Sequence, residues 1–376
     1  MRHAVRVFAL AVCSVLLAGC QSLTTQQWVE ATRASLESAV DQALAPMPGE
    51  VQEDVYTGET RDGRPHGRGT LIGKDGSTYT GEWRRAQQHG RGVYRWASGD
   101  EYVGTFAFGQ LDGFGSYHGA DGASYEGDWS KGHYHGRGTF NWADGRVYKG
   151  GFEQGLKSGR GDLWLADGGK YQGGFLADLP HGRGRETRAN GDSYDGEWVA
   201  GFRHGRGRME WADGRRYEGQ WREGARDGLG SMHWPDGERY EGEWLADAPH
   251  GQGIHTLSDG LVYEGFWLAG APHGEGQMDW PDGSRFVGTW VEGARHGPGV
   301  MTWPDATRFQ GEWRYGQRWG AGVLSLVDGG VVRGSWREDR LVETAPIEPD
   351  PLELHQRARD GDRESPLTVP AAPLEP

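Results

Sequence analysis

Eight histidines (His66, His89, His135, His181, His204, His250, His273 and His296) recur at one position of a periodic pattern, which raises the possibility of a row of metal sites. Spacing decides against that. If the pattern is a succession of β-hairpins, equivalent residues stand two strand spacings apart, about 10 Å, whereas the ligands of one zinc ion each lie within about 2.1 Å of it. These are read as structural turn histidines. A second ladder, Arg68, Arg91, Arg137, Arg160, Arg183 and Arg206, sets each guanidinium between two glycines on the face opposite a row of rings. It could take anionic headgroups or polysaccharide, and it lapses at Leu229, Gln252, Glu275 and Pro298. Glu82, Glu126, Asp128, Asp195, Glu197, Glu241 and Glu243 fall on the matching face of neighbouring strands, so cross-strand ion pairs are the reading preferred. A tryptophan ladder could stack on sugars or capture peptides, and its preferred reading is core. No G-x-S-x-G elbow, P-loop or zinc-protease helix occurs, and no carboxylate pair is marked as desolvated. A non-enzymatic protein without cofactor or metal is expected.

Composition sets the frame for these ladders. Of 376 residues, 66 are Gly and 35% are hydrophobic, with 18 Trp and 14 Tyr, so the apolar material sits in large rings spread through a glycine-rich, polar chain. A large conventional core is excluded, and an ordered, repetitive structure is indicated. The formal charge of −14 argues against a grip on phosphate backbones, so nucleic acid is no partner.

The ladders share one register. An aromatic recurs every 23 residues from Tyr56 through Tyr125 to Phe286 and Phe309, with Val332 at the next step. The fourth repeat shows the pattern: Tyr125, Gly127 and Trp129 alternate, then His135, Gly136 and Gly138 lead to Trp142, and Asp144-Gly145 follows. Residues two apart share one face of a strand, so one face reads aromatic, Gly, aromatic. Asp-Gly between such runs marks a hairpin turn. Glycine among rings leaves slots in which rings can lie. The fold class predicted is an all-β repeat, an elongated antiparallel meander of 23-residue β-hairpins stacked on their neighbours. Glu186 and Arg188 replace an apolar pair in the sixth repeat, where a bend or weak joint is expected.

The pattern Y-x-G-x-W, then H-G-x-G, then D-G resembles the membrane occupation and recognition nexus (MORN) repeat, over about residues 56 to 337 as twelve full units and a partial one. That resemblance implies protein–protein contact and self-association as the commonest roles. Such repeats also accompany lipid-kinase or lysine-methyltransferase domains, for which no stretch of about 100 residues remains outside the array.

The flanks carry addresses. Arg2 and Arg6 precede an apolar run, Val7 to Ala18, as in a signal peptide of residues 1–19. Leu17-Ala18-Gly19-Cys20 is similar to the bacterial lipobox, which implies lipid, palmitate included, on Cys20. Cys13 lies in the segment removed, so no disulfide is expected. Gln21 and Ser22 imply the outer membrane, with the chain facing the periplasm. Residues 20–49 hold the lipidated N-terminus and a short amphipathic helix from about Thr24 to Ala45, residues 50–343 the array, and residues 344–376 a disordered tail. The expected function is a lipid-anchored envelope scaffold for protein partners or self-association, with a binding module for envelope glycan or anionic lipid as the alternative.

Overall fold

The computed structural model describes residues 53–344. The signal segment, Cys20, the predicted helix and the tail beyond Thr344 lie outside them. Every element described is a β-strand, from Val55–Arg61 to Arg340–Thr344, and each full repeat supplies one strand of seven residues and one of nine. No described helix is long and apolar enough to cross a membrane. The chain divides into two compact bodies, one up to Ala248 and one from Pro249. Within each, consecutive strands pair antiparallel, as the alternating pattern requires.

In the fourth repeat, Ser124–Ser130 pairs with His133–Asn141, with Tyr125 opposite Phe140, Gly127 opposite Gly138 and Trp129 opposite Tyr134. The second strand carries two extra residues between Gly138 and His135, a bulge that restores the face alternation beyond it. The next pairing is regular, with Gly136 opposite Phe152 and Phe140 opposite Tyr148.

Two kinds of turn alternate. Lys131-Gly132 joins the strands inside the repeat with both residues at positive φ (50° and 83°), the two-residue form whose twist matches paired strands. Asp144-Gly145, expected as the tight turn, instead sits in a five-residue loop. That loop is closed by Trp142 N–H to Arg146 O at 2.9 Å and Gly145 N–H to Trp142 O at 3.0 Å. Each two-residue turn also ties its repeat to the one before, as where Gly132 N–H donates to Leu111 O at 2.9 Å.

The rings form the core. The Tyr125 ring covers the facing pair Gly127 and Gly138; a Cβ on Gly138 would stand 2.4 Å from the Tyr125 hydroxyl oxygen. That hydroxyl donates to Asp128 O at 2.8 Å. Trp129 meets its own Tyr125 and the preceding Tyr102 edge-on, both at 5.2 Å, and its indole Nε1 donates to Gly115 O at 3.2 Å. The chain of edge-to-face pairs continues through Phe152, Tyr148 and Phe175 to Trp198. Each such pair contributes about 0.5–1.5 kcal/mol beyond its burial.

The sixth repeat holds no break. Its second strand, Leu179–Thr187, pairs on both sides, with the bulge common to the other repeats towards Lys170–Leu176 and regularly with Ser193–Val199, and Glu186, opposite Tyr171 and Tyr194, is held by Arg203 at 2.9 Å. The division falls at Ala248 and Pro249 instead. In the eleventh repeat Ala306 takes φ 68° where the other loops have glycine, such as Gly283 at 91°.

Two outcomes follow from this packing. Ala306→Gly should stabilise the C-terminal body by about 0.5–1 kcal/mol in urea unfolding, because a left-handed conformation costs an L-residue about 1–2 kcal/mol and glycine's extra unfolded entropy offsets part of that. An unchanged or lowered midpoint would contradict it. Burial pushes the hydroxyls of Tyr79, Tyr171 and Tyr263 up to about 12 from 10.0, and those of Tyr102, Tyr125 and Tyr148 higher still. The folded state thus holds protons that the unfolded chain releases, so this stability is complete below pH 10 and is lost as pH rises through the folded values. Phenolate absorbance and loss of near-UV circular dichroism should rise together in one steep step above pH 10. A gradual phenolate titration with the dichroism intact would contradict this.

Candidate ligand-binding face

The bulge fixes what happens opposite the rings. Gly136 takes φ 55°, and a Cβ there would stand 2.4 Å from Asp128 Oδ2. Asp128 accepts the backbone N–H of Arg137 at 3.0 Å. Glu59, Glu82 and Glu197 accept the N–H of Arg68, Arg91 and Arg206 at 3.2, 3.2 and 3.1 Å, and Gln220 accepts that of Leu229 at 2.8 Å. The expected cross-strand ion pairs are therefore corrected: Glu82, Asp128 and Glu197 bind the peptide group of the ladder residue, not its guanidinium. Glu241 meets Arg239 of its own strand at 3.5 Å. Among the described residues, the side chains of Arg68, Arg91, Arg137, Arg160, Arg183 and Arg206 form no ion pair, and all six are exposed.

The structure gathers three of the six. Arg137, Arg160 and Arg183 line an open groove of about 880 Å³ with Lys149, Arg185 and Phe114, whereas Arg68, Arg91 and Arg206 lie outside it. Two glycines account for the difference. Gly151 and Gly174 stand where the fourth repeat has Asp128 and the seventh has Glu197, directly opposite Arg137 and Arg160. Without an acid in that slot, the space beside Gly159 and Gly182 stays open to 4 Å. The facing glycines of the ring slots, from Gly127 to Gly184, form the floor. Phe114 occupies the ladder position one repeat before Arg137 and is 59% exposed. Sequence reading did not remark on Phe114, although an aromatic in an outward slot was the available signal.

The other ladders are structural. Tyr79, Tyr125 and Tyr194 direct their hydroxyls to the carbonyls of His89, His135 and His204 at 3.3–3.5 Å, so that position serves through its backbone. Among the described residues no group of three His, Cys, Asp or Glu side chains could hold a metal ion. Trp129 is 6% exposed and its counterparts are similarly buried, which withdraws them from any stack with a sugar. Trp142, at the loop, is half-buried beneath Arg146 and Lys157, at 5.0 and 5.6 Å from its ring centre.

One cationic column went unread in the sequence. Arg203, Arg226 and Arg295 lie over the rings, Arg226 at 4.2 Å from Trp244 and Arg295 at 4.3 Å from Trp313. Burial holds the Arg295 guanidinium below its usual range. Where the two-residue turn carries Asp in place of Gly, its carboxylate clamps this column in the preceding repeat: Asp178 to Lys157 at 3.0 Å, Asp247 to Arg226 at 2.8 Å and Asp339 to Arg318 at 3.1 Å.

Comparison with known proteins places this arrangement. Twelve consecutive segments match the MORN repeat, running from 56–78 and 79–101 to 286–308 and 309–331. No curated protein matches the chain. Among solved structures, the TCP10 domain of CPAP from Danio rerio, in complex with a peptide of STIL, is similar at 13% identity and a TM-score of 0.25, over 65% of this chain and 98% of that one. The TCP10c domain of Sas-4 from Drosophila melanogaster is 16% identical at a TM-score of 0.20, over 48% and 93%. Virginiamycin B lyase from Staphylococcus aureus is 13% identical at 0.14, over 65% and 83%. At such scores these likenesses carry no functional inference.

The bulge acid yields an expected outcome. Asp128→Ala should cost about 1–2 kcal/mol and raise amide hydrogen exchange at Arg137, since it leaves that N–H without its acceptor. Asp128→Asn should retain most of the protection, as the amide of Gln220 does in the same slot. Equal exchange in the alanine variant and the wild type would refute the role.

Proposed function

This chain is a MORN-repeat protein, and on that premise we propose that it is a non-enzymatic scaffold, lipid-anchored through Cys20 in the bacterial cell envelope, that binds a protein partner or a second copy through its repeat surface. One observation carries the reading. The rings, the histidine position and the bulge acids are all engaged in holding the fold, while the outward guanidinium groups form no ion pair among the described residues. A row of outward cations without ion pairs is suited to association. The lipobox-like Leu17-Ala18-Gly19-Cys20 supports the anchor, and Gln21-Ser22 supports an outer-membrane location facing the periplasm. Several acyl chains on one residue would hold the protein stably where one would not.

The same free guanidinium groups favour a second reading, a binding module for envelope glycan or anionic lipid. It requires co-sedimentation with peptidoglycan sacculi or acidic liposomes, reduced by replacing Arg137, Arg160 and Arg183 with Ala.

Two measurements test the leading proposal. Cys20→Ala should move the protein from the membrane to the soluble fraction and abolish labelling by palmitate. Crosslinking in cells from the anchored protein, read by mass spectrometry, should return a protein partner or a second copy joined through the face opposite the rings. Recovery of uncrosslinked monomer alone, with sacculi or liposomes bound instead, would overturn the scaffold in favour of the second reading.

A further inference from the structure

Resting on the scaffold reading, we infer that the glycine-floored groove binds an extended, acidic, proline-rich segment of a partner protein in the polyproline II conformation, its carboxylates meeting Arg137, Arg160 and Arg183. The three guanidinium groups stem from every second strand, so their origins repeat at two strand spacings, about 9.6 Å. A polyproline II chain has three residues per turn and rises about 3.1 Å per residue, so every third side chain lies on one edge at about 9.3 Å. An acid at every third position therefore matches the spacing of the arginines. At the end of the strip the exposed Phe114 ring offers the kind of aromatic surface on which proline rings dock.

The remaining lining favours a peptide over a membrane. Beside the arginines runs a row across the strands in which Lys149 stands opposite Asp162 and Arg185 opposite Asp195, with Glu126 at the near end. Three carboxylates in the same groove would repel a continuous sheet of phosphodiesters. A peptide can place its carboxylates on the arginine strip alone and offer neutral backbone to the mixed row. The floor of backbone glycines suits a narrow chain running across the strands.

The test uses the full chain and a labelled (Glu-Pro-Pro)5 peptide in fluorescence anisotropy at low salt, with (Gln-Pro-Pro)5 and (Glu-Pro)5 as controls. The period-three acidic peptide should bind at least about tenfold more tightly than either, given roughly 0.5–1 kcal/mol for each exposed charge contact. Replacing Arg137, Arg160 and Arg183 together with Gln should remove about tenfold of that affinity, and Phe114→Ala a further severalfold. Arg68→Gln with Arg91→Gln should leave it unchanged, and near-UV dichroism of every variant should match wild type. Equal binding of the Gln peptide, equal loss in the Arg68 and Arg91 variant, or binding of phosphatidylglycerol vesicles with no peptide bound would each overturn the inference. A photocrosslinker at Thr139 in the groove, compared with one at Ser231 on the same face beyond it, separates the two readings in cells. Partner adducts from Thr139 support the groove. Adducts from Ser231 alone refute the groove and leave the scaffold standing, and no adduct from either site with no peptide bound refutes both.

Discussion

Where two strands bring glycine opposite glycine, the absent side chains leave a slot about one ring wide, and a tyrosine from the same repeat lies down in it. Gly127 and Gly138 beneath Tyr125 are the clearest instance, since a single added methyl would occupy the space of the phenol oxygen. A sheet with no second layer among the described residues has to build its core from what its own strands project. Large flat rings over glycine do this within one sheet thickness. The entropic cost of glycine in a strand, about 0.5–1 kcal/mol per position, is offset by ring contacts of similar size. Two polar ends fix each ring in place: the tyrosine hydroxyl reaches a carbonyl three residues on, and the tryptophan indole reaches a glycine carbonyl of the preceding repeat.

This arrangement commits one face of each body to stability and releases the other. Ring packing, the hydrogen bonds of the tyrosine and tryptophan rings, and the arginines laid over them fall on the ring side. The opposite side answers chiefly to backbone pairing and the bulge, with local side-chain hydrogen bonds such as Gln172 to Asp162 at 3.1 Å, so its side chains vary from repeat to repeat. Arginine at one ladder position gives way to Phe114, Leu229 and Pro298 with the register unchanged. Function in such a chain has to be sought in departures from the repeat on that free side, because the shared residues are already engaged.

How much of this the sequence disclosed follows from the same division. The 23-residue step placed every strand, because each tyrosine, glycine and tryptophan is where alternation demands, and local period and tertiary need coincide. The bulge was not legible. H-G-x-G reads as alternating glycines on one face, yet Gly136 is there because its φ is 55° and Asp128 fills the space beside it. Without the two extra residues of the bulge, Asp128 would stand directly opposite Arg137, which is why ion pairs were expected where backbone capping occurs. The cationic column of Arg203, Arg226 and Arg295 was hidden because it occupies a position that other repeats fill with Pro180 or Tyr134, a set whose common property is to cover a ring.

The slot for the bulge acid sets stability against binding within one position. An acid there accepts the ladder N–H and brings a negative charge close to the ladder cation, which lowers the potential that an incoming anion would meet. Glycine there gives up the side-chain acceptor and leaves the cation uncompensated. The first, second, fourth and seventh repeats keep the acid; the third has Thr105, whose side chain still fills the slot, and the fifth and sixth have only Gly151 and Gly174. Two consecutive losses widen the gap from one bare guanidinium to a strip of three, because Arg137, Arg160 and Arg183 each border an emptied slot. A single loss would leave a point charge in a field of carboxylates, too weakly favourable to hold a flexible partner once its ordering entropy is counted. The groove therefore depends less on the arginines, which other repeats also carry, than on the pair of glycines that stop answering them.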